Sequence, residues 1–119
     1  MRQQHSGAKT LALGRLKYGV MNPMEKKYAD YLEELKAKGA VLWYKFEGMT
    51  FKLAKGCTYT PDFNVMLSSG EVQQHEVKGH WIGDARAKIK VAAAMFPFQF
   101  IAIKAEAKCR GGGWITEEF

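Results

Sequence analysis

Two carboxylates and a lysine stand on stretches that otherwise read as buried strand: Asp62 in YTPDFNVML, and Glu76 and Lys78 in QQHEVKG. Charged groups resist burial unless something pairs with them, and a metal ion is such a partner. Glu76 and Lys78 are two apart, so on a strand they share a face. Asp62 opens the preceding strand, and the short SSG link makes the two strands neighbours. All three groups therefore converge at one end of a sheet. Two acidic oxygen donors with positions left for water suit Mg²⁺, with Mn²⁺ as a substitute. A lysine beside that metal would orient or deprotonate an attacking water, and the metal would stabilise charge on a phosphodiester. Taken singly, Asp62 is an ordinary strand-start residue, and Glu76 with Lys78 an ordinary wet strand face. Their order and spacing together carry the reading.

The elements that must position these groups are signposted locally. MNPMEKKYADYLEELKAKGA reads as a helix, with Asn22 as N-cap, Pro23 at the first position and Glu25 at the third, as in a capping box. Met24, Tyr28, Leu32 and Leu35 form one apolar stripe, and Gly39 ends the helix after Lys36 and Lys38. AVLWYKFEG predicts a strand, and MTFKLAKG a second one pairing with it through a turn near Gly48. Pro61 belongs at a strand start or edge. GDARAKIKVAAAMF predicts a second helix, Ala85, Ile89, Ala92, Ala93 and Phe96 inward and Arg86, Lys88 and Lys90 outside. FQFIAIKA is another strand, and WITEEF an edge strand anchored by Trp114 and Phe119. Trp43, Phe46, Phe98 and Phe100 read as core. His75 precedes Glu76 and so faces the other side of the sheet, while His80 and Trp81 follow the strand closely enough to contact substrate. The class is α/β or α+β with a mixed central sheet.

Composition narrows the function classes. A chain of 119 residues, 47% hydrophobic and 25% charged, is one globular domain by length. No apolar run approaches the ~20 residues of a membrane span, and MRQQHSGAKT lacks the apolar core of a secretory signal. A cytoplasmic address is expected. Cys57 and Cys109 read as free thiols. There is no HExxH, no Cys-x-x-Cys and no phosphate-binding loop, which argues against zinc and nucleotide chemistry. Of the net charge of +6, residues 1–22 supply +4 through Arg2, Lys9, Arg15 and Lys17, with no acid. Such a basic arm attracts phosphate backbones. The division expected is a basic arm over 1–21 and a single domain over 22–119.

TPD followed by HEVK resembles the bipartite signature of the PD-(D/E)XK, restriction-endonuclease-like nuclease superfamily. More narrowly, MNPMEKKYADYL, LWYKFEG, YTPDFNVML, HEVKGHW, DARAKIKVAAA and WITEEF resemble a family of small phage and prophage proteins. The likeness spans residues 22–119. It implies a restriction-endonuclease-like core of order αβββαβ, to which MTFKLAKGCTY adds a hairpin strand. It implies that Asp62 and Glu76 bind the metal, that Lys78 serves the water, and that Glu25 on the first helix joins the metal site. Arg86, Lys88 and Lys90, with His80 and the arm residues Lys9, Arg15 and Lys17, would then face DNA. The function expected is a Mg²⁺-dependent endonuclease of a phage in a bacterial host. A small chain has little surface for reading sequence, which points to branched DNA such as a Holliday junction, cut by a homodimer. The alternatives are an inactive nucleic-acid-binding or accessory protein on the same fold, and a phage factor that docks a partner through its C-terminal tail.

Overall fold

A computed structural model describes residues 19–81 and 83–119. The expected contacts of Lys9, Arg15 and Lys17, and most of the arm over 1–21, lie outside the described residues. Helix α1 covers Pro23–Ala37, and its start is the full capping box: the Asn22 side chain accepts from the Glu25 amide, and the Glu25 carboxylate from the Asn22 amide, each at 2.8 Å. Gly39 leaves the helix at φ +86, and the amides of Lys38, Gly39 and Ala40 close on carbonyls of the last turn.

The remaining elements are β1 (Val41–Phe46), β2 (Phe51–Ala54), β3 (Cys57–Tyr59), β4 (Phe63–Leu67), β5 (Val72–Val77), α2 (Ala85–Met95), β6 (Gln99–Ala105) and β7 (Trp114–Glu118), with a 3₁₀ turn at Lys108–Arg110. Five strands form one sheet in the order β1-β4-β5-β6-β7. Only the β5–β6 pair is parallel, bridged by α2, and the other neighbours are antiparallel. This is a mixed sheet with helices on both faces, within the α+β class.

Strand alternation sorts the core into two layers. Tyr28 and Leu32 of α1 pack on Val41, Phe63, Val65, Val77, Ile101 and Ile103 on one face. On the other face, Ile89 and Ala92 of α2 pack with Phe51, Tyr59 and Phe100. The expected edge strand WITEEF forms as β7, with Trp114 against the first layer and Phe119 against the second. Met21 already packs on the first layer, and the Gly19 amide donates to Glu47 at 3.0 Å. Among the described residues, contacts with the body therefore reach back at least to Gly19.

Two expectations need correction. MTFKLAKG does not pair with the strand before it: β2 pairs with β3 as a separate hairpin, while β1 lies against β4 with Phe46 opposite Phe63. The chain leaves β1 through Glu47, in left-handed backbone at φ 50, and β2 then takes β3 as its partner in a sheet of its own. Trp43 is not core but 39% exposed, because β1 is an edge strand with a register irregularity between Val41 and Trp43.

Candidate active site

Because β4 and β5 are antiparallel, the start of one lies beside the end of the other, with Phe63 opposite His75. Asp62 and Glu76 are thereby brought to one end of the two central strands, on the face covered by α2 and the β2–β3 hairpin. Asp62 is 9% exposed, and its Oδ2 accepts the Val77 amide at 2.8 Å. Its Oδ1 has no hydrogen-bond partner among the described residues, and it is not one of the sealed polar atoms. Glu76 is buried with both oxygens engaged: Tyr59 donates its hydroxyl to Oε1 at 2.7 Å, and the Lys78 ammonium lies 3.0 Å from Oε2.

The electrostatics follow from crowding. Burial, then the charge of Glu76 and that of Glu25, push the Asp62 carboxyl well above the usual carboxylate range, against the pull of the Val77 amide and Lys78. Burial works against the Lys78 charge, but Glu76 beside it, with Asp62 and Glu25 beyond, outweighs this and raises its pKa. Burial and the neighbouring Glu76 raise the Tyr59 hydroxyl far above an ordinary phenol, so it stays a donor.

The structure thus brings Asp62, Glu76 and Lys78 together. Glu25 acts on Asp62 and Lys78 through its field, while one of its oxygens holds the Asn22 amide. Among the described residues no three His, Cys, Asp or Glu side chains form a group that could hold a metal ion. The fit to Mg²⁺ rests on two carboxylates with hard oxygen donors, and Mg²⁺ takes one or two carboxylates with waters filling its other positions. Asp62 and Glu76 are the residues that would hold it.

The basic residues of α2 divide. Arg86 forms a bidentate pair with Glu117 of β7 and lies over the rings of Trp81 and Phe119, at 5.4 and 5.1 Å from their centroids. Lys88 donates to the Thr58 carbonyl at 3.2 Å, and Lys90 is exposed. His80 lines a groove of ≈ 400 Å³ beside Lys78, and Asp62 and Glu76 lie outside its lining. His75 faces α1 as expected. Its Nδ1 meets the Tyr28 hydroxyl at 2.7 Å and its Nε2 the Gln73 Oε1 at 2.9 Å. Burial pushes its pKa down to about 4. Gln73 Oε1 can only accept, so Nε2 carries the proton and Tyr28 donates to Nδ1.

Tyr59 is the site residue that sequence reasoning missed. An aromatic residue at the end of a short strand reads as core, and only the fold of the hairpin brings its hydroxyl to Glu76. No family model, curated protein or solved structure matches the chain. Among the described residues no helix is long and apolar enough to cross a membrane.

Proposed function

We propose that this protein is a metal-dependent endonuclease of the PD-(D/E)XK type, acting on DNA. The observation that carries the reading is the convergence of Asp62, Glu76 and Lys78 at one end of two central strands, with an Asp62 oxygen that has no hydrogen-bond partner among the described residues. Asp62 and Glu76 would hold Mg²⁺, or Mn²⁺ in its place, and the bound cation would offset negative charge building on the phosphodiester. Lys78, tied to Glu76, orients the attacking water. Tyr59 fixes the Glu76 carboxylate from the opposite side, so that its Oε2 faces Lys78. Lys90, the arm residues Lys9, Arg15 and Lys17, and His80 would attract the DNA backbone. A phage protein in the bacterial cytoplasm that cuts branched DNA as a homodimer is the particular form proposed.

A nucleic-acid-binding protein that keeps the fold without cutting is the second reading, favoured by the engagement of both Glu76 oxygens. Cleavage of labelled duplex, single-stranded, flap and four-way-junction DNA in Mg²⁺, Mn²⁺ or EDTA separates the two. Wild type should cut only with metal, and folded Glu76→Ala and Lys78→Ala chains should lose at least about a hundredfold in rate. Folded wild type that cuts none of these substrates, or variants as active as wild type, leaves the binding protein as the reading.

A further inference from the structure

The groove beside Lys78 arises from a mismatch in strand length. Pairing of β5 with β6 ends at Val77 opposite Ile103, with the Lys78 amide on the Ile103 carbonyl as the last rung. Strands β6 and β7 continue, as far as Ala105 opposite Trp114. The chain leaving β5 turns away through residues 79–81, and the space it vacates is the groove. It lies at the carboxyl end of a parallel strand pair, where open sheets place ligands.

Its lining has two characters. Trp81 and Ile115 give it apolar wall, and Lys78 and Lys104 give it positive charge. Glu117, the acid in the lining, is paired with Arg86. Ile115 is 45% exposed, so the apolar wall is open to an incoming ligand. A volume of ≈ 400 Å³ is near the lower end of small-ligand pockets, roughly 300–1,000 Å³. That is room for one planar base with its sugar and phosphate. Lys78 belongs both to this groove and to the ion pair with Glu76, so the groove continues directly from the carboxylates.

We infer that this groove holds one unpaired nucleotide of a DNA strand whose neighbouring phosphate lies at Lys78. Apolar wall receives the base, as in single-strand binding sites, and Lys78 and Lys104 receive the backbone. This deepens the nuclease reading and rests on it for the placing of a phosphate at Lys78. It narrows the substrate to DNA with an unpaired nucleotide beside the bond to be cut, as at a tail, bulge or branch.

The test is fluorescence-anisotropy binding of the full chain in EDTA, where no strand is cut. The probes are a blunt duplex, the same duplex with a single-stranded tail, and the same duplex with one bulged nucleotide. Tailed and bulged DNA should bind on the order of tenfold tighter than blunt duplex, the scale of one stacked base. Ile115→Trp, which fills the groove from an exposed strand position, should bring the three probes within about twofold. Equal affinity for all probes in wild type, or an unchanged preference in Ile115→Trp, overturns the inference. Cleavage of the tailed duplex in Mg²⁺ or Mn²⁺ is measured alongside. Cutting without preference removes the groove's role and leaves the nuclease reading. Preference without cutting keeps the groove and removes the nuclease.

Discussion

At the scale of single residues, Asp62 sets a stability conflict. It is buried next to Glu76, so its carboxyl holds a proton that an unfolded chain would release above pH 3.8. A folded state that binds more protons loses stability as pH rises through that window, from the ordinary carboxylate value upward. Asparagine keeps an oxygen for the Val77 amide and removes the titration. Asp62→Asn should therefore be more stable than wild type at pH 7 in EDTA by about 1–3 kcal/mol, read from urea denaturation midpoints. A destabilised variant would mean that the carboxylate is ionised and well paired in the fold. Such a gain on removing an ionisable group is the usual mark of a residue kept for chemistry at some loss of stability.

At the scale of elements, the β2–β3 hairpin determines how complete the site is. It carries Tyr59 to Glu76, and its Phe51 packs among Phe96, Phe98 and Phe100. Its approach to the sheet passes Gly48, where an added Cβ would stand 2.6 Å from Asn64 Oδ1. Asn64 is fully buried and donates to the equally buried Gln74, whose own amide reaches Met49 sulfur at 3.7 Å, so it cannot swing aside. Gly48→Ala should cost on the order of 1–3 kcal/mol, because the added methyl overpacks a buried polar pair. Thermal unfolding measures it, and an unchanged midpoint would show that Asn64 has room to move. The hairpin also shows a limit of sequence reading. Its first strand was legible as a run, but neither β3 nor the pairing of the two was, since pairing depends on contacts made only once the chain has folded.

At the scale of the whole molecule, the stability of the fold should report His75. Its folded pKa is lowered, so the unfolded chain takes up a proton first as pH falls. Stability contributed by the neutral ring is present above pH 6.5 and is lost as pH falls from about 6.5 to about 4. The loss amounts to as much as about 3 kcal/mol. Asp62 acts in the opposite sense throughout this range, so the measurement belongs in the Asp62→Asn chain, by denaturant titration at a series of fixed pH values. A flat profile between pH 6.5 and 5, before ordinary carboxylates titrate, would contradict a neutral His75 held by Tyr28 and Gln73.

What the sequence determined by itself was local. The capping box at Asn22, the glycine stop at Gly39, the alternation that turns His75 away from Glu76, and the SSG turn each depend on neighbours a few residues apart. Local spacing therefore suffices to read them. The short turn also brought Asp62 to the same end as Glu76 and Lys78, which made the core of the candidate site legible. Only the tertiary structure decided the rest. Trp43 is exposed because β1 is an edge strand, Arg86 is held by Glu117 from the far end of the chain, and Tyr59 meets Glu76 across the hairpin. The groove beside Lys78 exists because β6 and β7 outrun β5. Each of these depends on contacts between distant segments, and on the unequal lengths of strands that meet only once the chain has folded.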